Sequence, residues 1–418
     1  MLNKDALQAP ELEASDIKTP RGFAAARDAW VLASMKRMLS GVTSGSIRLR
    51  LPSGQTAVIG HPGGIETDID MASFSLLWRS MRRGTLGFAE CYMNHEVETS
   101  NLGDVFRFFL DNFEQLDNAG RGWFKVRAGD RFAHRRRSNT KSGSKRNISA
   151  HYDLGNDFYK PWLDEGMTYS SALFTHEDQS LKDAQTAKYE AILAALDIQP
   201  GHRVLEIGCG WGGMAEMLAK AGAHVTAITL SREQLRYARQ RIEAQGLADH
   251  VDVRFQDYRD VTGTFDRIVS VEMIEAVGEE HWPAYFKTLS ERLTPGGHAV
   301  LQAITIREDS FEAYRRHPDF IQRYIFPGGM LPTIEAMREN AETEACDFEM
   351  LQRFRHGYAK TLAIWRDRFL AAWPEIQKLG FDERFKRMWI YYLTYCEVGF
   401  ERGVIDVGLY RVEKRDTR

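Results

Sequence analysis

The sequence predicts an α/β protein: a Rossmann-like sheet wound by helices and covered by a helical lid, preceded by a smaller N-terminal α+β unit. Three observations predict it. From Arg203 onward, short apolar runs alternate with amphipathic stretches of helical period. The first of those runs feeds directly into a glycine-rich turn, VLEIGCGWGG. Residues 21–125 follow another pattern, mixing helix and hairpin signals without that alternation.

Each element follows from local pattern. Arg203–Ile207, Val225–Thr229, Val251–Phe255, Arg267–Val271 and His298–Ile304 are continuous or near-continuous apolar runs of strand length. Gly212–Lys220, Arg232–Gln245 and Trp282–Leu293 have helical period between them. A βαβ series of this kind builds a parallel sheet with helices on both faces. Earlier, Ser46–Leu51 and Thr56–Ile59 read as a hairpin turning at Ser53-Gly54. Ala24–Leu39, Phe74–Arg82 and Leu102–Gln115 read as helices. The expected organisation is a tail at 1–20, an accessory, lipid-associated unit at 21–130, a linker at 131–146 and a catalytic domain at 147–418. Residues 306–355 form a long insertion after the fifth strand, and an insertion of that length reads as a lid.

Composition narrows the function classes. The 418 residues are 43% hydrophobic and 27% charged. That balance excludes a disordered chain, and the length suits more than one core. A net charge of −3 says little about partners, and no nucleic-acid partner is expected. The exception is local: residues 131–146, RFAHRRRSNTKSGSKR, carry seven Lys or Arg and no acid. Such a segment is either a solvated linker or a patch for anionic lipid. Four cysteines without a CxxC pair give no zinc site, and no metal is expected. The N-terminus has no apolar signal-peptide core, and no run approaches the roughly 18 apolar residues of a membrane span. The expectation is a cytoplasmic protein, peripheral on the inner face of the membrane.

The glycine turn places Glu206, Gly208, Gly210 and Gly212 between strand and helix. Glycines there let the backbone approach a ligand closely, and ligands of such sheets bind beyond the carboxyl ends of the strands. VTAITLSREQ brings Thr229, Ser231 and Gln234 to the second strand end, with Gln234 as a donor for ribose hydroxyls. QDYRD brings Asp257 and Tyr258 to the third, with Asp257 as an acceptor for an adenine amino group. The spacing is not that of a dinucleotide fingerprint, and the order of segments fits a methyltransferase.

Together, HYDLGNDFYKPWLDEGMTYSSALF, VLEIGCGWGG, FDRIVSVEMIEAVG, YIFPGGMLP, HGYAKTLAIW and FERGVIDVGLY resemble the cyclopropane-fatty-acyl-phospholipid synthase family. The resemblance covers residues 147–418, and the N-terminal part is similar to the accessory domain of longer members. It implies a Rossmann-like S-adenosylmethionine-dependent methyltransferase that adds a methyl carbon to the double bond of an unsaturated acyl chain in phospholipid. The product is a cyclopropane, or a methyl-branched or methylene chain. Tyr169 and Ser170 are then cofactor contacts. Bicarbonate is the implied base, held by the Ser171 backbone, Glu275, Gln302, the Ile304 backbone and Tyr358. The implied partner is a bilayer surface with unsaturated chains, and a homodimer is compatible.

Three positions depart from the family pattern. Ser171 stands for a usual cysteine, Gln302 for a usual histidine, and Glu272 for a usually small residue. An anion beside Glu272 and Glu275 suffers repulsion, whereas a carboxylate presents two oxygens much as bicarbonate does. The expectation is therefore Glu272 as base, with Gln302 and Tyr358 as neutral donors and Glu275 in the same network. The alternative is a solvated Glu272 beside a bound bicarbonate. Alkene methylation requires alignment, dryness and tolerance of a cation. Tyr169, Phe174, Tyr324, Phe326, Tyr358 and Trp365 are the aromatic candidates, and His151 and His356 are the other ionisable ones, with His356 placed to orient Tyr358. Two other readings stay open: a small-molecule N-methyltransferase of the same fold, and an inactive lipid-binding homologue.

Overall fold

The computed structural model describes residues 22–119 and 154–415. The tail, the basic segment 131–146 and His151 lie outside them.

The N-terminal unit begins with α1 (Phe23–Met38), whose Val31, Leu32 and Met35 are buried. Strands β1 (Ser46–Arg50) and β2 (Thr56–Gly60) form the expected hairpin, with Gly54 at φ +86° in its turn. β3 (Glu66–Met71) runs parallel to β1, and the short β4 (Val97–Glu98) closes a sheet of order β2-β1-β3-β4. Between β3 and β4 lie α2 (Ser75–Arg83) and α3 (Thr85–Met93). The helix expected over 102–115 is two helices, α4 (Leu102–Asp111) and α5 (Phe113–Ala119). They break at Asn112. Its buried carboxamide accepts from the Thr43 and Ser44 amides and donates to the Ser44 and Phe108 carbonyls. An asparagine in a helix interior competes with the backbone in this way.

The larger sheet has seven strands in the order β10-β11-β9-β8-β5-β6-β7. After α6 (Asn156–Tyr159) and α7 (Leu181–Leu196) come β5 (Arg203–Ile207), α8 (Gly213–Lys220), β6 (His224–Thr229), α9 (Arg232–Ala244) and β7 (Val251–Phe255). β8 (Phe265–Val271), α10 (Trp282–Arg292) and β9 (Leu293–Ile306) complete the parallel part. The insertion then divides. Residues 308–331 form a lid through α11 (Glu308–Arg316) and a π-helical turn at Ile321–Ile325. The remainder is not lid. α12 (Ile334–Thr343) and β10 (Cys346–Arg353) return to the sheet. Two long helices, α13 (Arg355–Ile376) and α14 (Glu383–Glu401), precede β11 (Ile405–Lys414), which is antiparallel to β9 and β10. The sheet is therefore mixed at one edge, where the sequence pattern indicated only parallel strands.

The N-terminal unit has a core around Leu49, Ile69, Val105 and Phe108. Its separation is incomplete, because Leu86, Ala89, Tyr92 and Met93 of α3 join the large core of the remainder. The joint is also polar. Arg387 of α14 donates to the Tyr92 carbonyl (2.5 Å), the Val97 carbonyl (2.9 Å) and the Glu98 carboxylate (2.9 Å). A guanidinium satisfies three fixed acceptors at once because its donors form a rigid fork.

Candidate active site

The first cavity, of about 140 Å³, lies at the carboxyl ends of β5, β6 and β8. The three glycines of its turn have positive φ: +86° at Gly208, +52° at Gly210 and +83° at Gly212. Their surroundings differ. A β-carbon on Gly208 would sit 3.2 Å from Met273 Cγ, and one on Gly212 would sit 3.1 Å from Ala238 Cβ. A β-carbon on Gly210 would meet nothing within 4 Å, and Gly210 lines the cavity.

Of the residues expected here, Tyr169, Ser170, Glu206, Gly208, Gly210, Thr229, Gln234 and Tyr258 line the cleft. Gly212, Ser231 and Asp257 do not. Gly212 packs against α9. Ser231 caps α9, its hydroxyl accepting from the Gln234 amide. Asp257 is gripped by Arg259 through Nε at 2.8 Å and Nη2 at 2.7 Å, and Gln256 lines the cleft instead. The Thr229 hydroxyl donates to Gln234 Oε1 (2.9 Å), which leaves the Gln234 amide nitrogen as its donor for a ligand.

Glu206 is 3% exposed, and its Oε2 has no hydrogen-bond partner among the described residues. Burial pushes its carboxyl up to about 8, against the opposing pull of Arg241, the Ala215 amide and Lys188. A buried acceptor without a partner beside an open glycine cradle fits the ammonium and carboxylate of a methionine moiety.

The second cluster gathers all six residues expected to act in catalysis. Glu272 follows β8 with φ +48°. That is an unusual backbone conformation for a side chain of this size. Its Oε1 accepts from the Ser171 amide (2.8 Å) and from Gln302 Nε2 (2.7 Å). Its Oε2 accepts from the Tyr358 hydroxyl (2.7 Å). Burial raises the carboxyl above its usual range, opposed by Tyr358, the Ser171 amide, Lys188 and Gln302. Glu275 is held apart from this network, contrary to expectation. Its Oε1 accepts from the Ile304 amide (2.6 Å), and Oε2 has no hydrogen-bond partner among the described residues. Burial and the neighbouring Glu272 push Glu275 up to about 8. Both glutamates retain some exposure, and the surface they show lines a cavity.

That second cavity, of about 220 Å³, is walled by apolar and aromatic side chains, among them Tyr169, Phe326, Leu362, Tyr392 and Phe400. Tyr169, Glu272 and Ala276 line both cavities, so the two meet there. Of the aromatic candidates, Tyr169, Phe326 and Tyr358 line this second cavity. The other three stand elsewhere. Trp365 is buried behind Tyr169, stacked on it at 5.2 Å. Phe174 lies under the Lys360 ammonium. The Tyr324 hydroxyl donates to Glu90 of the N-terminal unit. His356 is exposed on the first turn of α13.

One residue was missed. Lys188 of α7 is fully buried, and its ammonium donates to Ser170 Oγ (2.7 Å). Burial lowers it to about 8, while Glu272, Asp164 and Glu206 oppose that shift. Gln185, one turn earlier, donates to the Ser170 carbonyl (2.9 Å). The signal was available: Leu181, Ala184, Lys188 and Ile192 share the buried face of one helix. A lysine seldom lies on such a face unpaired.

A model of the family described as mycolic acid cyclopropane synthetase matches residues 139–409. The chain belongs to this family. The tuberculostearic acid methyltransferase UfaA1 of Mycobacterium tuberculosis is 37% identical over 398 residues, 93% of this chain and 92% of its own length. The cyclopropane-fatty-acyl-phospholipid synthase of Escherichia coli is 37% identical over 353 residues, 84% of this chain and 88% of its own. The crystal structure of mycolic acid cyclopropane synthase CmaA1 complexed with SAH and CTAB superposes with a TM-score of 0.61 at 32% identity, covering 65% of this chain and 98% of that one. Coclaurine N-methyltransferase, at 17% identity and a TM-score of 0.59, shares the fold. This family member is an S-adenosylmethionine-dependent methyltransferase of lipids, with the Rossmann-like architecture that the strand order implied. No helix among the described residues is long and apolar enough to cross a membrane.

Proposed function

We propose that the substrate is an unsaturated acyl chain of membrane phospholipid, that the methyl carbon is added at its double bond, and that Glu272 is the base. One observation carries the role of Glu272. Its carboxylate accepts from the Ser171 amide, Gln302 and Tyr358, which are three of the groups that the family resemblance assigns to bicarbonate. In this reading the side-chain carboxylate stands in for the ion.

When bound, the cofactor supplies a sulfonium methyl, an electrophile strong enough to alkylate an alkene and leave a cation on the neighbouring chain carbon. Gly208, Gly210, Glu206, Gln234, Tyr169 and Ser170 are the residues that would hold it. Tyr169 stands between the cleft and the apolar cavity, its ring fixed by Trp365 and its hydroxyl within 2.9 Å of the Tyr392 hydroxyl. Its face and that of Tyr358 offer the cation about 0.5–2 kcal/mol each. The apolar walls align the chain and exclude water, and each buried methylene contributes about 0.8 kcal/mol. Glu272 Oε2, which among the described residues accepts only the Tyr358 hydroxyl, takes the departing proton. The electrons of that C–H bond close a ring or form a new double bond, according to which carbon it leaves.

Docking on the inner face of the membrane is part of this reading, with the basic segment 131–146 as the contact for anionic headgroups. Replacing Arg135, Arg136, Arg137, Lys145 and Arg146 with Gln should weaken vesicle sedimentation at low salt. Unaltered sedimentation would remove the segment from the account. The substrate is tested by mass spectrometry of membrane acyl chains after expression in a host lacking its own synthase. A gain of one CH₂ is expected, and resistance to mild hydrogenation marks a cyclopropane. The base is tested in bicarbonate-free buffer, where activity should persist. Loss of activity there, restored by bicarbonate, would return the role to the ion.

A further inference from the structure

The apolar cavity is built mostly by the lid, α13 and α14, yet one of its lining residues comes from the N-terminal unit. That residue is Leu110, on the last turn of α4. The cavity's axis can be read from β9. Gln302 and Ile304 stand beside the two glutamates, with Gln302 bonded to Glu272 and the Ile304 amide to Glu275. Ile306, also in the lining, pairs with Ile405 at the start of β11. At about 3.3 Å per residue, Ile306 lies roughly 13 Å along the strand from Gln302. Val404 belongs to the same end, where its carbonyl accepts from the Arg307 amide.

Leu110 is fixed at that end. The next residue, Asp111, pairs with Arg402 at 2.8 Å, two residues before Val404. One turn back, Arg107 pairs with Glu401 at 2.7 Å. The end of α4 is thus bound to the end of α14, and Leu110 faces the apolar space between them. The family model begins at residue 139 and therefore has no counterpart of Leu110.

We propose that Leu110 closes the end of the acyl cavity remote from the base and so selects where along the chain the reacting double bond lies. This rests on the acyl-chain reading above and adds a residue that sets its positional specificity. The physical reason is that the reacting carbons are fixed at Glu272 while the chain must fit the length left between them and Leu110. A close-packed wall discriminates chain lengths that differ by single methylenes.

The test uses the full chain, S-adenosylmethionine and phosphatidylglycerol vesicles whose cis-monounsaturated chains differ only in double-bond position. Methylated product is quantified for each isomer by mass spectrometry. Leu110→Trp should move the preference between neighbouring isomers on the order of tenfold toward chains with less length on that side, and Leu110→Ala should move it the other way. Leu110→Met, of similar volume, should keep the wild-type profile. Calorimetric affinity for the cofactor should be equal in all four proteins, which shows that each is folded. Active Trp and Ala variants with the wild-type isomer profile would overturn the inference and leave the lipid reading standing. A wild-type protein that methylates none of the isomers would instead sink the lipid reading, and this inference with it.

Discussion

The two cavities that meet at Tyr169 and Glu272 are built in opposite ways. The cleft at the strand ends is centred on the β5–α8 turn, with residues 167–170 and the ends of β6, β7 and β8 around it. At that turn its shape is set by backbone, through Gly208 and Gly210 in the left-handed region. The apolar cavity is assembled from Leu110, the turn at 272–276, the lid and two C-terminal helices, and its shape is set by side chains. A cofactor common to many enzymes is met by local geometry. Under the function proposed above, the substrate is met by packing between distant segments.

The largest expected effect breaks the first half of that contrast. In Gly210→Val the added side chain enters the open cleft, at a backbone φ of +52°. A β-branched residue is strained in that conformation. Cofactor binding should be lost in calorimetry while circular dichroism shows a folded protein. Unchanged affinity would mean that the cleft is not a backbone cradle. Next, Glu272→Gln should leave cofactor affinity intact and lower kcat by about 10² or more, the usual scale for a lost general base. An equal loss of affinity would place Glu272 in the cleft rather than at its boundary.

Lys188 links the two halves, and its replacement should do less. Lys188→Met removes the cation that favours ionised Glu272 and the bond to Ser170. The groups around it are Ser170, the Tyr189 ring, Glu206, Asp164 and Glu272. With the cation gone, Glu272 holds its proton to higher pH, so the acid limb of the kcat profile should move upward. A role confined to packing would lower kcat at every pH without moving that limb.

The smallest effect concerns stability. Glu206 and Glu275 both rise to about 8 from a carboxylate's ordinary range. Between those limits the folded state binds more protons than the unfolded one, so stability falls as pH rises from about 5 to 8. Lys188, lowered to about 8, acts in the opposite sense only above that value. Glu275→Gln should flatten the fall between about pH 5 and 8, by roughly 2–4 °C in Tm. An identical slope in the variant would mean that Glu275 is already ionised in the fold.

What the sequence disclosed follows the same contrast. The five parallel strands, the hairpin and the glycine turn were legible because each is written in contiguous residues. β10 and β11 were not read. β10 alternates too weakly at an exposed edge to mark itself, and β11 returns only after two long helices. Sequence places Asp257 at a strand end and cannot show that its carboxylate pairs with Arg259, two residues on, away from the cleft lining. The glutamate cluster was legible through the resemblance, since the unusual Glu272 falls beside the positions implied for the ion. That Glu275 stands outside that network depends on the register of β8 and β9, which no local pattern gives. Leu110 belongs to a helix whose distance along the chain from the site hid its place in the cavity lining.

Glu272 stands where the backbone has φ +48°. Glycine accepts that conformation and a larger residue resists it. Under the function proposed above, this one turn decides where the enzyme's base comes from. With glutamate, the base is inherited with the polypeptide and is present at every turnover. With glycine, the turn would relax and a gap the size of a small anion would open among the Ser171 amide, Gln302 and Tyr358, to be filled from solution. On that proposal, the strained side chain makes lipid methylation independent of how much carbon dioxide the cell happens to hold.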